Sequence, residues 1–243
     1  MTRVRPIYDL GLLPPGKMEI DIAGSSIESG RSQSGITGAI DFSGGGLWTV
    51  RYSQIQVFGA PQHLYYQYLR NYLRGGVRSI VVPMLTDYVA PTPTPGGPIH
   101  IATPFSDGSS FSDGSLFRQS SIQAVIAGYC PLNATTISLK MIAGGALQGG
   151  ETFAIDHPAK AWRAYGICEI DSVGAPDMNG AITYQVAIAP PLRQAVSDQT
   201  PLEFARPKCL MRLMAGGPGM PWAVERYWQG LFDISFIESF RAT

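Results

Sequence analysis

Leu47-Trp-Thr-Val-Arg-Tyr-Ser-Gln-Ile-Gln-Val-Phe58 is the stretch on which the fold turns. Trp48, Val50 and Tyr52 lie two residues apart and share a face, the period of a half-buried strand. The phase then slips at Ser53-Gln54, and Ile55 and Val57 carry the alternation onward. A slip of one residue inside a long strand predicts a β-bulge. On the N-terminal side Met18, Ile20 and Ile22 alternate in the same way, and the Ser/Gly-rich stretch 24–38 reads as a loop or a flexible hairpin. On the C-terminal side the period changes. Pro61 stands where a first-turn proline is tolerated and Gly75-Gly76 supplies a stop, which predicts a helix over 61–73. Leu64, Tyr65, Tyr68, Leu69, Tyr72 and Leu73 recur at helical spacing and are expected to face the core as one apolar, aromatic stripe. Residues 77–85 read as a buried strand ending near Pro83.

Further along, 90–115 differs in kind. It holds Pro-Thr-Pro-Thr-Pro and a tandem repeat, Phe105-Ser-Asp-Gly-Ser and Phe111-Ser-Asp-Gly-Ser. Such composition buries little surface and reads as an exposed excursion. Asp107 and Asp113 fit turn chemistry and match no calcium loop. From Thr135 onward strands return. Ile137, Leu139 and Met141 alternate, followed by 152–155, 162–170, 182–188, 209–214 and 231–240, with glycine-rich turns between them. Many short strands with regular turn signals indicate a small sandwich or barrel, so the fold class is mainly β.

The composition of the 243 residues agrees. Hydrophobic residues make up 45%, enough for a packed core, while Gly 28 and Pro 19 favour short strands over long helices. Lys+Arg 18 balance Asp+Glu 18. A protein that grips nucleic acid through its phosphates normally carries a basic excess, so specific nucleic-acid binding is not expected. Low charge with no net sign suits a subunit packed against other subunits. No apolar run reaches the roughly 20 residues of a membrane span, and Met-Thr-Arg-Val-Arg at the start is not followed by the apolar core of a secretory signal. Cys130, Cys168 and Cys209 are far apart, as are His63, His100 and His157. Free thiols and no metal site are the expectation.

Two catalytic motifs are approached and missed. Gly11-Leu-Leu-Pro-Pro-Gly16-Lys17 has the spacing of a phosphate-binding loop, but Pro14 and Pro15 have no N–H to offer and Met18 stands where a hydroxyl should be. Gly30-Arg-Ser-Gln-Ser34 resembles a serine-hydrolase elbow without its closing glycine. No residue is nominated as catalytic, metal-ligating or cofactor-binding, and no cofactor is expected.

Several stretches, in order, resemble the distal tail proteins of long-tailed, non-contractile bacteriophages. They are Tyr68-Leu-Arg-Asn-Tyr-Leu-Arg-Gly-Gly76 with Ile80-Val-Val-Pro83, then Leu147-Gln-Gly-Gly-Glu-Thr-Phe-Ala-Ile155, then Tyr165-Gly-Ile-Cys-Glu-Ile170. After these come Ala189-Pro-Pro-Leu-Arg193, Pro201-Leu-Glu-Phe204, Pro207-Lys-Cys-Leu-Met-Arg-Leu213 and the closing Asp233-Ile-Ser-Phe-Ile-Glu-Ser-Phe240. The likeness is continuous over about 135–240. The excursion at 90–114 and the loop at 222–228 depart from it.

The resemblance implies a split-barrel-like ring domain with one packed helix, from residues 1–89 and 206–243. It further implies an inserted small β-barrel, often OB-like in that family, from residues 116–205. It implies a homo-hexameric ring at the tail tip of the virion, assembled in the host bacterial cytoplasm. The ring would join the major tail tube protein, and with it the tape measure protein, to the tail-tip hub and receptor-binding apparatus. Within that picture the 47–58 run, read as apolar on both faces, is expected to supply edge pairing or packing to the next subunit. The alternatives are a carbohydrate-binding module stacking host sugars on Trp162 and Tyr165, and a wall-degrading tail enzyme.

Overall fold

The structure is a computed structural model that describes residues 5–24, 26–31, 37–41, 45–84, 86–104, 108–113, 115–216, 220 and 229–240. The hydrolase-elbow serines, Asp107 and the 222–228 loop lie outside the described residues. The fold is mainly β. In chain order the first elements are β1 (Lys17–Ala23), β2 (Ser26–Arg31), β3 (Thr37–Asp41), β4 (Leu47–Phe58), α1 (Gly59–Leu73) and β5 (Ser79–Pro83). Then come β6 (His100–Thr103), β7 (Phe117–Ser120), β8 (Gln123–Ile126), β9 (Thr136–Ala143), β10 (Thr152–His157) and β11 (Ala161–Val173). The last are β12 (Ile182–Ala189), β13 (Pro201–Leu202), β14 (Lys208–Leu213) and β15 (Gln229–Glu238). Two compact units emerge: residues 1–84, 158–162 and 208–243 in the first, 85–157 and 163–207 in the second.

The first unit is built on an antiparallel sheet in the order β1-β4-β15-β14-β5. Met18, Ile20 and Ile22 stand opposite Tyr52, Val50 and Trp48, so the two alternations seen in the sequence point to one face. The bulge lies where the phase slips. Tyr52 pairs with Ile234 and Ile55 with Phe232, which leaves Ser53 and Gln54 facing Asp233 alone. Gln54 takes a left-handed φ of 57°. Asp233 holds the distortion: its carboxylate accepts the Gln54 N–H at 3.1 Å and an Arg51 guanidinium N–H at 2.9 Å. Those two hydrogen bonds, Arg51's first, hold the Asp233 carboxyl below the usual carboxylate range. The extra residue returns Ile55 and Val57 to the buried face after Tyr52, and all three are fully buried.

Aromatic rings fill the space beneath the sheet. Tyr8 sits 5.0 Å from Tyr52 and 6.1 Å from Phe236, and Tyr66 of α1 sits 4.5 Å from Phe232. The Tyr52 hydroxyl donates to the Pro83 carbonyl and the Tyr8 hydroxyl to the Leu13 carbonyl. Burial drives both phenol pKa values far upward. The helix forms where expected but shows the core a different face. Its buried residues are His63, Tyr66, Leu69 and Leu73. Leu64 and Tyr68, assigned to the core stripe by spacing, are 65% and 48% exposed. The helix ends on Arg74 in the left-handed conformation, and Gly76 follows with φ +98°. A Cβ on Gly76 would lie 2.8 Å from the Leu213 carbonyl oxygen, so glycine there lets the chain pass β14 closely.

The second unit is a nearly closed barrel in the strand order β10-β11-β12-β9-β8-β13. Ala154 of β10 and Glu203, just past β13, exchange both backbone hydrogen bonds at 2.9 Å and join the two ends. Phe153 lies between Tyr165 and Phe204, with centroids 5.6 and 5.3 Å away, in a core that also holds Ile126, Leu139 and Val186. The 90–115 segment is more ordered than its composition suggested. It contributes β6, which pairs with β7, and its Pro91 and Thr92 are buried. The reason is a glycine pair: Gly145 donates its N–H to the Pro91 carbonyl at 2.8 Å, and a Cβ there would meet the Thr92 carbonyl at 2.5 Å. Proline-rich backbone docks on glycine without needing side-chain area of its own. Strands β8 and β13 were not anticipated, since four- and two-residue strands carry too few alternations to read.

Candidate assembly surfaces

The phosphate-loop near miss and the Asp113 repeat resolve into turns. In the Gly11–Lys17 segment the N–H groups of Gly11 and Leu12 point to Asp9 Oδ1, at 2.8 and 3.3 Å, and strand β1 follows where a phosphate loop needs a helix. Asp113 accepts the Ser115 hydroxyl at 2.6 Å and its N–H at 2.9 Å, bonds that lower its carboxyl pKa and mark an Asx-type turn. Cys130 and Cys209 are buried, and Cys168 is exposed, all as free thiols. Among the described residues no three His, Cys, Asp or Glu side chains gather as a metal site, and no helix is long and apolar enough to cross a membrane.

Trp162 and Tyr165 do not form a sugar platform. Tyr165 is fully buried, and the half-buried ring of Trp162 is faced by the Lys208 ammonium at 4.8 Å from its centroid. Tyr165 belongs instead to a polar chain inside the barrel. The Arg193 N–H donates to its hydroxyl at 3.0 Å, and that hydroxyl lies 2.8 Å from His157 Nε2. Where Nε2 carries no proton the phenol donates to it, so this bond suits a neutral His157. Burial first, and the neighbouring Arg163 guanidinium second, push the His157 pKa down to about 4. No substrate reaches this network, since His157, Arg163 and Tyr165 are all buried. A cleft of about 620 Å³ in the same unit is lined by Tyr88, Pro91, Pro93, Pro95, Gln148 and Glu151. Its carboxylate is already engaged, accepting the N–H groups of Gln148 and Gly149 at 2.6 and 2.9 Å.

The surfaces of the first unit are more telling. The outer edge of β5 is closed by the N-terminal segment, through Tyr8 N–H to the Val81 carbonyl at 2.9 Å and Val81 N–H to the Pro6 carbonyl at 3.0 Å. The other end of the sheet is β1, and among the described residues no strand pairs with its outer edge. This strand is seven residues long, has no proline or bulge, and alternates between exposed Lys17, Glu19, Asp21 and half-buried Met18, Ile20, Ile22. An open edge of that regularity is a template for another chain. The run 47–58 cannot play this part. Strand β4 lies inside the sheet between β1 and β15, and Arg51, Gln54 and Gln56 make its second face polar. Past the bulge the apolar residues of both phases face one buried side, so the run is not apolar on both faces.

A second surface lies along α1. The rings of Tyr65, Tyr68 and Tyr72 stack in succession at 6.1 and 5.9 Å. Arg78 closes the row, 5.3 Å above Tyr72, and Leu64 stands at the other end. The Tyr65 hydroxyl is fixed by the Asp9 N–H at 2.7 Å. Helical geometry places Gln67, Arg70, Asn71 and Arg74 along the neighbouring flank. The sequence did hold a signal for this surface: residues 42–86 contain four arginines and no acidic residue. The chain matches no family model, and a search of curated proteins finds no match either.

Proposed function

We propose that the chain is a structural subunit of a phage tail tip, a distal tail protein whose copies close into a hexameric ring between the tail tube and the tail-tip hub. The observation that carries this reading is the asymmetric sheet of the first unit, with one edge sealed by the chain's own N-terminal segment and the other, β1, regular and unpaired among the described residues. A single open edge on each copy invites association, and heterologous contacts between identical copies either close into rings or run on as filaments. The ordered sequence resemblance selects the ring and supplies its setting. Tail tube, hub and tape measure proteins are then the partners, and the virion tail tip the place of action. The nominated sugar-stacking residues are unavailable, which removes the support for a carbohydrate-binding module. Electron microscopy of the purified full chain tests the proposal directly: closed six-fold rings are expected, and a chain that stays monomeric at high concentration refutes it.

A further inference from the structure

We infer that copies of this chain also meet head to tail through two oppositely charged surfaces, the tyrosine–arginine ridge of α1 on one copy and the acidic end of the β11–β12 hairpin on the next. This rests on the reading of the chain as a self-assembling subunit, and it assigns a contact distinct from the open β1 edge.

The chain is neutral as a whole, but its charge is segregated. Residues 42–86 hold Arg51, Arg70, Arg74 and Arg78 with no acid, while 164–192 hold Glu169, Asp171 and Asp177 with no base. Arg51 is paired with Asp233, and Asp177 with Lys140 at 2.6 Å. Arg70, Arg74, Glu169 and Asp171 are exposed and take part in no ion pair among the described residues. Each charged set has apolar company. Leu64, Tyr68 and Val77 are exposed around the ridge. Val173 and Met178 are exposed at the hairpin end, with Ile142 of neighbouring β9. Tyrosine and arginine without lysine or acid is the composition of interface centres, and surface side chains away from such centres are seldom so chosen.

The geometry of the ridge also says what it accepts. Its rings stack on one another at about 6 Å, so their faces are taken; the Tyr65 hydroxyl is held by the Asp9 N–H and the Tyr72 hydroxyl by the Ser79 carbonyl, and Tyr68 is the exposed ring of the three. A nucleic-acid base needs an open ring face and finds none between them. On the outer face of the helix the exposed Arg70 and Arg74 guanidinium groups line one border and exposed Tyr68 the other; these are donors, and the fitting partner is a carboxylate-bearing surface. The chain itself carries one of matching charge. Complementary patches of this kind steer association and fix its register.

Charge reversal on the full chain tests the inference by sedimentation equilibrium. One variant combines Arg70→Glu with Arg74→Glu, the other Glu169→Lys with Asp171→Lys, each checked for native circular dichroism. Each variant alone is expected to self-associate at least about tenfold more weakly than the parent chain, because like charges then face each other. An equimolar mixture of the two is expected to recover association, since each reversed surface finds its complement on the other variant. The parent's association is expected to weaken with added salt. Leu64→Ser replaces the ridge variant if the latter does not fold, and is expected to weaken association of the parent likewise. Reversed variants that associate like the parent, or a mixture of folded variants that recovers nothing, overturn the inference. Six-fold rings indifferent to the reversals overturn it while leaving the tail-ring reading intact. Open chains or dimers that obey the reversals uphold it and overturn the ring.

Discussion

Acidification should open the barrel through one residue. His157 is 1% exposed and its folded-state pKa lies at about 4, against an ordinary value of 6.5. A lowered pKa means that the unfolded chain binds the proton more readily than the folded one, so stability is complete above pH 6.5 and falls as pH drops toward 4. At pH 5 the difference in proton binding costs about 2 kcal/mol, and below pH 4 it approaches about 3 kcal/mol. The physical reason is plain in the structure: burial strips an imidazolium of its water, and the charge would be a second buried cation beside Arg163. Trp48 lies in the first unit and Trp162 opens barrel strand β11, so tryptophan fluorescence does not report on the barrel alone. Hydrogen exchange of peptides covering 152–157 and 164–170, corrected for intrinsic rates, does. Between pH 7 and pH 5 their opening free energy should drop by about 2 kcal/mol more in the parent than in His157→Gln, which keeps a neutral acceptor for Tyr165. The comparison subtracts the acid response of every other group, His100 included. Parallel profiles for parent and variant would refute the argument.

Gly76→Ala should destabilise the first unit more than Gly75→Ala. Both glycines have left-handed φ, worth about 1–2 kcal/mol for alanine, but only Gly76 would also drive a Cβ into the Leu213 carbonyl. Tryptophan fluorescence in urea should show the gap, about 1–3 kcal/mol for the added clash. In the barrel, Leu139→Ala removes a fully buried side chain from the centre of the core and should cost about 2–5 kcal/mol by the same exchange measurement. A maleimide should label Cys168 alone in the folded chain, slowly at neutral pH because burial pushes its thiol pKa up. Cys130 and Cys209 should react only on unfolding; prompt labelling of either would contradict their burial.

The bulge at Ser53-Gln54 was legible because the two halves of β4 carry apolar residues on opposite phases, and only an extra residue reconciles them with one buried face. The partner that stabilises it was not legible. Asp233 lies 179 residues away from Gln54, and nothing local announces that its carboxylate will cap the distortion. Sheet order escapes for the same reason: β4 pairs with β15 across most of the chain, and alternation says which face of a strand is buried but not which strand lies beside it. Burial of Pro91 and Thr92 was missed because apolar side chains were counted, whereas docking there is backbone against glycine.

The helix face is the more instructive error. Apolar residues occupy about half the circumference of α1, and two overlapping arcs both satisfy helical spacing: His63, Tyr66, Leu69 and Leu73 on one, Leu64, Tyr68 and Tyr72 on the other. Hydropathy ranks the second arc at least as high. What separates them is the packing that the sheet supplies, for the arginines give no marker of the outer arc: Arg70 stands one turn after buried Tyr66, at the border of the inward arc. A helix serving only its own core has no use for tyrosines beside unpaired arginines on its solvent side, and polar residues of either charge would keep that side soluble. The excess of aromatic residues that made the core stripe ambiguous is therefore the same feature that marks α1 as two-sided, one arc packed on Phe232 and the sheet, the other carrying exposed Leu64 and Tyr68.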